Sequence, residues 1–281
     1  MNDIFVSIGF EQPKYRLIEK QHIRHLVEKM QEYSNLIKID NRYQFKLDSL
    51  LAIFNYHENP IKDKYRTVVL DKDGQFIVTT QSTRQLINQL LRDYTIGGMK
   101  LQNHFAGTLG YKRYHVISLG RVAFFSLKGN SRDNSDWVAL HFIKKYNCKV
   151  TPKSAKLSFS TVKLEGLTYN IVFNKVLRNI ERRLIESIRH NHLVHISAWQ
   201  HLRQLLWCEC NPKRKSILQD KELIGSVTKY DPLLIVELAE LIIDHFIRTS
   251  FQAFTKDQNL ELLDYEIQFF IRKSKRSKFT Y

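Results

Sequence analysis

A chain of 281 residues with 43% hydrophobic content, 10 Gly and 5 Pro is globular in composition, long enough for one large domain or two ordinary ones, and able to bury a substantial core. Its 44 Lys and Arg against 28 Asp and Glu leave a formal charge of +16, a surplus that draws in polyanions, nucleic acid first among them. No apolar run reaches the 18 residues of a helical membrane span, and the opening MNDIFVSIGFEQPKY has no basic stretch leading into an apolar segment, so a cytoplasmic protein is expected.

In chain order, KYRLIEKQHIRHLVEKMQEY (14–33) places Leu17, Ile18, Ile23, Leu26, Val27 and Met30 at helical spacing and predicts one amphipathic helix. Alternation and short apolar runs follow. DSLLAIFNY (48–56), YRTVVLD (65–71) and QFIVTT predict strands, the last entered through the turn DKDG. STRQLINQLLRDY predicts a short helix capped by Ser82, with Gly97 and Gly98 past its end. Strands are then expected at 112–119, 121–127, 137–146, 156–164 and 167–172, the last two joined through Glu165 and Gly166 as a hairpin. From Phe173 the period changes to that of a helix running to about residue 194, followed by a shorter helix, SAWQHLRQLLW, and two more beyond the break CNPKRKS. The segment RKSKRSK (272–278) reads as a basic, mobile tail.

Runs of strands followed by runs of helices predict an α+β fold with a central antiparallel β-rich domain, flanked by an N-terminal helix and a C-terminal helical region. The expected boundaries are 1–44, 45–195 and 196–281. The apolar arc of DPLLIVELAELIIDHFI must be buried in its own domain or against a partner, and self-association, as a dimer or higher homo-oligomer, is the simplest partner.

Two groups of cations stand out. On a helix starting at Phe173, the residues Phe173, Val176, Leu177, Ile180, Leu184 and Ile188 share a face about 120° wide, with Lys175, Arg178, Arg182 and Arg189 opposite, strung along about 21 Å of axis. A charged stripe is equally a solvated face. The strands add Lys112, Arg113, Arg121, Lys128, Arg132, Lys144 and Lys145, which hairpin pairing of 112–119, 121–127 and 137–146 would bring together at strand ends. Between two of those strands, nine polar or glycine residues (128–136) form a loop longer than closure needs. It offers Asn130, Ser131, Arg132, Asn134 and Ser135 for phosphates and for the acceptor-lined minor groove of A·T-rich DNA. A solvated hairpin tip is the structural alternative.

Patterns for catalysis are poor, and no enzyme activity, catalytic residue or cofactor is expected. DKDG opens like a calcium loop, but its twelfth position is Ser82, which supplies no bidentate carboxylate, so a plain turn is expected. His190, His192, His195, His201, Cys208 and Cys210 make one ligand-rich stretch, yet a single residue between the cysteines is unlike zinc-site spacing. Those histidines are expected to cap and solvate a helix end. Cys148, Cys208 and Cys210, an odd number in a chain without an export signal, suggest no disulfide framework.

From about Ser49 to Glu186, half of the chain resembles the ComK family of bacterial competence transcription factors. The resemblance lies in LLAIFNY, in YRTVVLDKDGQFIVTTQSTRQLINQLLRDY, in FFSLKGNSRDNSDWVALHFIKKY with Trp137 opening a strand after the polar loop, and in LTYNIVFNKVLRNIERRL. It implies a DNA-binding activator that assembles as dimers on paired A·T-rich boxes, approaches through the minor groove and raises expression of DNA-uptake genes. Two other classes remain open on the residues alone: a nucleic-acid-processing enzyme such as a nuclease, and a helical protein-interaction module.

Overall fold

The computed structural model describes residues 15–94, 103, 106–107, 110–111, 116–128, 134–164, 166–206 and 216–224. The fold is α+β and is built on two sheets. A seven-stranded sheet has the order β2-β5-β4-β3-β8-β7-β6, with β2 Ile37–Ile39, β3 Leu50–Asn55, β4 Thr67–Asp71, β5 Phe76–Thr79, β6 Val116–Ser118, β7 Ala123–Ser126 and β8 Trp137–Ala139. A four-stranded sheet has the order β1-β11-β10-β9, with β1 Tyr15–Glu19, β9 Ile143–Val150, β10 Ala155–Thr161 and β11 Thr168–Val176. Among the described pairs only β1 with β11 and β2 with β5 are parallel, both at sheet edges. Strands β1 and β2 both come from the first 44 residues, so that segment is woven into the two sheets.

The sequence separates the sheets by pattern. LLAIFN, TVVLD, FIVT, AFFS and WVA are continuous apolar runs, and every residue of these strands is buried, as expected for a sheet covered on both faces. AKLSFST alternates instead: Ala155, Leu157, Phe159 and Thr161 are buried while the residues between them reach the surface, which marks a sheet with one wet face. The inner face of the smaller sheet meets the larger one through aromatic rings. Phe54 on β3 stacks on Phe173 on β11 with centroids 5.7 Å apart, and Phe159 on β10 meets Phe173 edge-on at 6.3 Å.

Helix α1 (Lys20–Glu28) leaves β1 without a loop and buries Ile23, Leu26 and Val27. The helix expected over 14–33 is therefore shorter and preceded by a strand. Ile18 is buried and Leu17 is 44% exposed, the alternation of a strand that has found an open edge on β11. Helix α2 (Thr83–Tyr94) follows the expected bounds. Its start is a capping box: the Ser82 hydroxyl accepts from the Gln85 amide (3.2 Å) and Gln85 Oε1 accepts from the Ser82 amide (2.8 Å). The turn before β5 is plain, with Asp71 Oδ1 accepting from the amides of Asp73 and Gln75 and with Gly74 at φ 82°.

Three further expectations are corrected. The single strand predicted over 137–146 is two strands in different sheets, separated by a 3-10 turn at Leu140–Phe142. The helix predicted from Phe173 begins at Ile180, because Phe173 to Val176 complete β11 and pair with β10. Helix α3 (Ile180–Leu206) then runs without the break expected near residue 194. Its predicted inner positions Ile180, Leu184 and Ile188 are all fully buried. It lies against β6 and β7, where the buried Ser118 hydroxyl donates to Asn191 Oδ1 at 2.7 Å. A short helix, α4 (Lys221–Ile224), docks on α3. The expected helices after residue 224 and the basic segment 272–278 lie outside the described residues.

The register of β10 and β11 slips between Leu157 paired with Phe173 and Ala155 paired with Val176, so Asn174 and Lys175 form a bulge. Lys175 has φ 56°, in the left-handed region that a side chain with a Cβ occupies at a cost. Lys175→Gly is expected to stabilise the fold by up to about 1 kcal/mol, a rise in Tm of about 2–3 °C in a thermal melt.

Candidate nucleic-acid interface

Strands β6, β7 and β8 do lie side by side, with Phe125 paired to both Val116 and Val138. The nominated cations nevertheless fall into separate groups. Lys112, Arg113, Asn130 and Arg132 lie outside the described residues. Arg121 sits on the β6–β7 turn beside α3, where its charge adds to burial in lowering the pKa of His195. Lys128 is exposed at the end of β7, 3.6 Å from Glu58.

The far end of the polar loop is committed to the fold. Asn134 Oδ1 accepts from the Arg84 amide (3.1 Å) and the Thr83 hydroxyl (3.3 Å), serving as a second cap on α2, while its carbonyl accepts from Asn55 Nδ2. The Ser135 hydroxyl is buried and accepts from Ser126 Oγ and the Lys128 amide. Asp136 Oδ1 accepts from the Asn55 amide (2.6 Å) and from Lys20 Nζ (3.0 Å), tying β3, α1 and β8 at one point. The Tyr56 hydroxyl donates to the Lys20 carbonyl at 2.7 Å beside it, and burial, followed by the negative charge of Asp136, raises its pKa. A loop longer than closure requires is thus explained in part by what its last three residues hold.

Lys144 and Lys145, expected next to the loop, are carried by the Leu140–Phe142 corner onto β9 of the smaller sheet, where both are exposed. Arg178 is exposed between β11 and α3. Arg182 is exposed but bonded to Glu186 at 2.8 Å, and Arg189 is half-buried, with Nε 3.4 Å from the Leu223 carbonyl. The helical stripe therefore divides: Lys175 belongs to the strand bulge, Arg178 precedes the helix, and Arg189 helps seat α4.

Sequence reasoning missed the densest basic surface among these elements. Lys149 pairs with Lys156 across β9 and β10, Asn147 with Ser158, and Lys145 with Ser160. Directly opposed residues of a ladder share a face, and this set is the outer, wet face of the smaller sheet. The hairpin closes through Thr151 and Ser154: the Thr151 amide donates to the Ser154 carbonyl (2.8 Å) and the Ser154 amide to Thr151 Oγ1 (3.2 Å), which presents Pro152 and Lys153 at the tip. Val176 pairs with Ala155 at the same end, so Lys175 and Arg178 flank the hairpin. One acid intervenes, Glu19, 3.8 Å from Lys156. The signal in the sequence was KVTPKSAK, a Pro-Lys turn between two basic strand ends.

The histidines of the ligand-rich stretch lie in the middle of α3, a correction that follows from the helix being continuous. His190 is 1% exposed and burial pushes its pKa down to about 4; burial also lowers His192 and His195. His141, edge-on to Phe124 and 3.4 Å from the Ala123 carbonyl, is likewise pushed to about 4 by burial. Cys208 and Cys210 lie outside the described residues, and among the described residues no three His, Cys, Asp or Glu converge as metal ligands. The unfolded chain binds protons at His141 and His190 near the ordinary histidine value, the folded chain only near pH 4. Stability is therefore full above about pH 6.5 and falls as pH drops towards 4. The urea midpoint is expected to decrease between pH 7 and pH 5, and His190→Leu to shrink that decrease.

No described helix is long and apolar enough to cross a membrane. Comparison of the chain with protein-family models, with curated proteins and with solved structures finds no match.

Proposed function

We propose that the chain is a sequence-selective binder of double-stranded DNA, acting as a transcription regulator of the ComK type. The observation that carries this reading is the +16 charge, together with a set of lysines and arginines that stand exposed on the smaller sheet and beside it. Neutralising phosphates with such side chains releases counterions and supplies affinity without sequence information. Preference for A·T-rich sites comes from groove width and deformability, read by the part of the loop between Lys128 and Asn134. Dimerisation on paired boxes and activation of DNA-uptake genes complete the proposal. They rest on the resemblance over residues 49–186.

Selection of bound fragments from random duplex DNA tests it. Enrichment of spaced A·T tracts, with affinity falling steeply as salt rises, is the expected result. Recovery of unenriched fragments would remove the sequence-selective part of the reading.

A further inference from the structure

We infer that the β9–β10 hairpin end of the smaller sheet is the surface that grips the backbone of duplex DNA, through Lys149, Lys153 and Lys156 with Lys175 and Arg178 alongside. This rests on the DNA-binding reading above and gives it a place on the molecule, away from the loop that the sequence singled out.

Charge is the first support. Five cations from the ends of three strands meet around one turn, and Glu19 is the acid paired to them. The second support is that this end of the sheet carries local costs. Lys149 and Lys156 are directly opposed on one face, and like charges so placed destabilise a ladder. Lys175 holds φ 56° in the bulge that faces Lys156. A bound polyanion removes the repulsion and turns each of these lysines into a contact, which gives both costs a common reason.

The chemistry of the surface selects the occupant. Lys145 and Lys149 lie on the same face four residues apart, about 13 Å along the strand. A duplex backbone offers a phosphate about every 3.4 Å of axis per strand, so both lysines fall on one phosphate row. At the tip, Val150 is 52% exposed and Pro152 is exposed, small apolar groups flanked by lysines that suit a groove floor between two phosphate rows. Among the described side chains of the outer face, lysine, asparagine and serine predominate and none carries a ring. Unpaired bases bind by stacking on such rings, so the face favours duplex over single strands.

The test uses the full chain and fluorescence anisotropy with an A·T-rich duplex at several salt concentrations. The double variant Lys149→Ala/Lys156→Ala is expected to bind about 25- to 100-fold more weakly near 0.15 M salt, with the log–log salt slope smaller by about 2. Its Tm should be unchanged or higher, since a repulsion is removed, and a folding defect is thereby distinguished from a lost contact. The variant Lys38→Ala/Lys46→Ala, which removes the same charge from exposed sites elsewhere, should change affinity by less than about threefold. If wild type binds duplex and both double variants match it, the hairpin is not the interface and the DNA-binding reading stands without it. If the two double variants weaken binding equally, net charge rather than this site is responsible. If wild type binds no duplex even near 50 mM salt, the DNA-binding reading falls and the hairpin assignment with it. Tighter binding of single-stranded RNA, lost in Lys149→Ala/Lys156→Ala, would overturn the choice of duplex.

Discussion

Phe54→Ala is expected to destabilise the protein by about 3–5 kcal/mol, the range for truncating a fully buried aromatic side chain. Phe54 has no exposed surface, and its ring stacks on Phe173, which in turn meets Phe159. These rings join the central strand β3 of the larger sheet to β10 and β11 of the smaller one. Truncation therefore opens a cavity between sheets, where neither backbone ladder can move to fill it. Phe173→Leu keeps most of the volume and should cost less than half as much. A double-mutant cycle between the two positions should return a coupling of about 0.5–1.5 kcal/mol from the ring pair itself. A loss below about 1 kcal/mol for Phe54→Ala in a urea titration would mean that the sheets are not held together through these rings.

Asp136→Ala is expected to cost about 2–4 kcal/mol. Its carboxylate is 15% exposed and accepts from the Asn55 amide and from Lys20. Removing it leaves the Asn55 N–H without that acceptor and severs α1 from the junction of β3 and β8. Asp136→Asn retains an oxygen for the Asn55 amide and should cost about half as much. Lys20→Met removes a cation that is 39% exposed, and solvent screening limits its effect to less than about 1 kcal/mol. The order Asp136→Ala, Asp136→Asn, Lys20→Met in equilibrium unfolding is the check. Equal effects for the first and last would show that the backbone amide contributes little.

What the sequence revealed and what it hid divide along the range of the interactions. Continuous apolar runs announced β3, β4 and β5, the capping box announced α2, and the residues around Glu165 and Gly166 announced the β10–β11 hairpin. Each is decided by residues within a few positions of one another. The errors came where two periods fit the same letters. YRLIE and FNKV satisfy helical spacing, and only a free edge on β11, or β10 waiting to pair, makes them strands. HFI in 141–143 continues an apolar run, and nothing local says that the chain turns there to join a second sheet. Asn134, Ser135 and Asp136 carried the polarity expected of a nucleic-acid loop, but their partners Thr83, Arg84, Ser126, Asn55 and Lys20 are reached only through the tertiary fold.

The three-residue corner at Leu140–Phe142 also sets how the hairpin is mounted. On one side of it β8 lies between β3 and β7, inside the larger sheet, and on the other side β9 runs out to the turn at Thr151–Ser154. A load applied at that tip travels down β9 as along a strut and enters the larger sheet at an interior strand, where ladder bonds on both flanks share the shear. A strut seated in the interior resists tilting far better than one fixed to the rim.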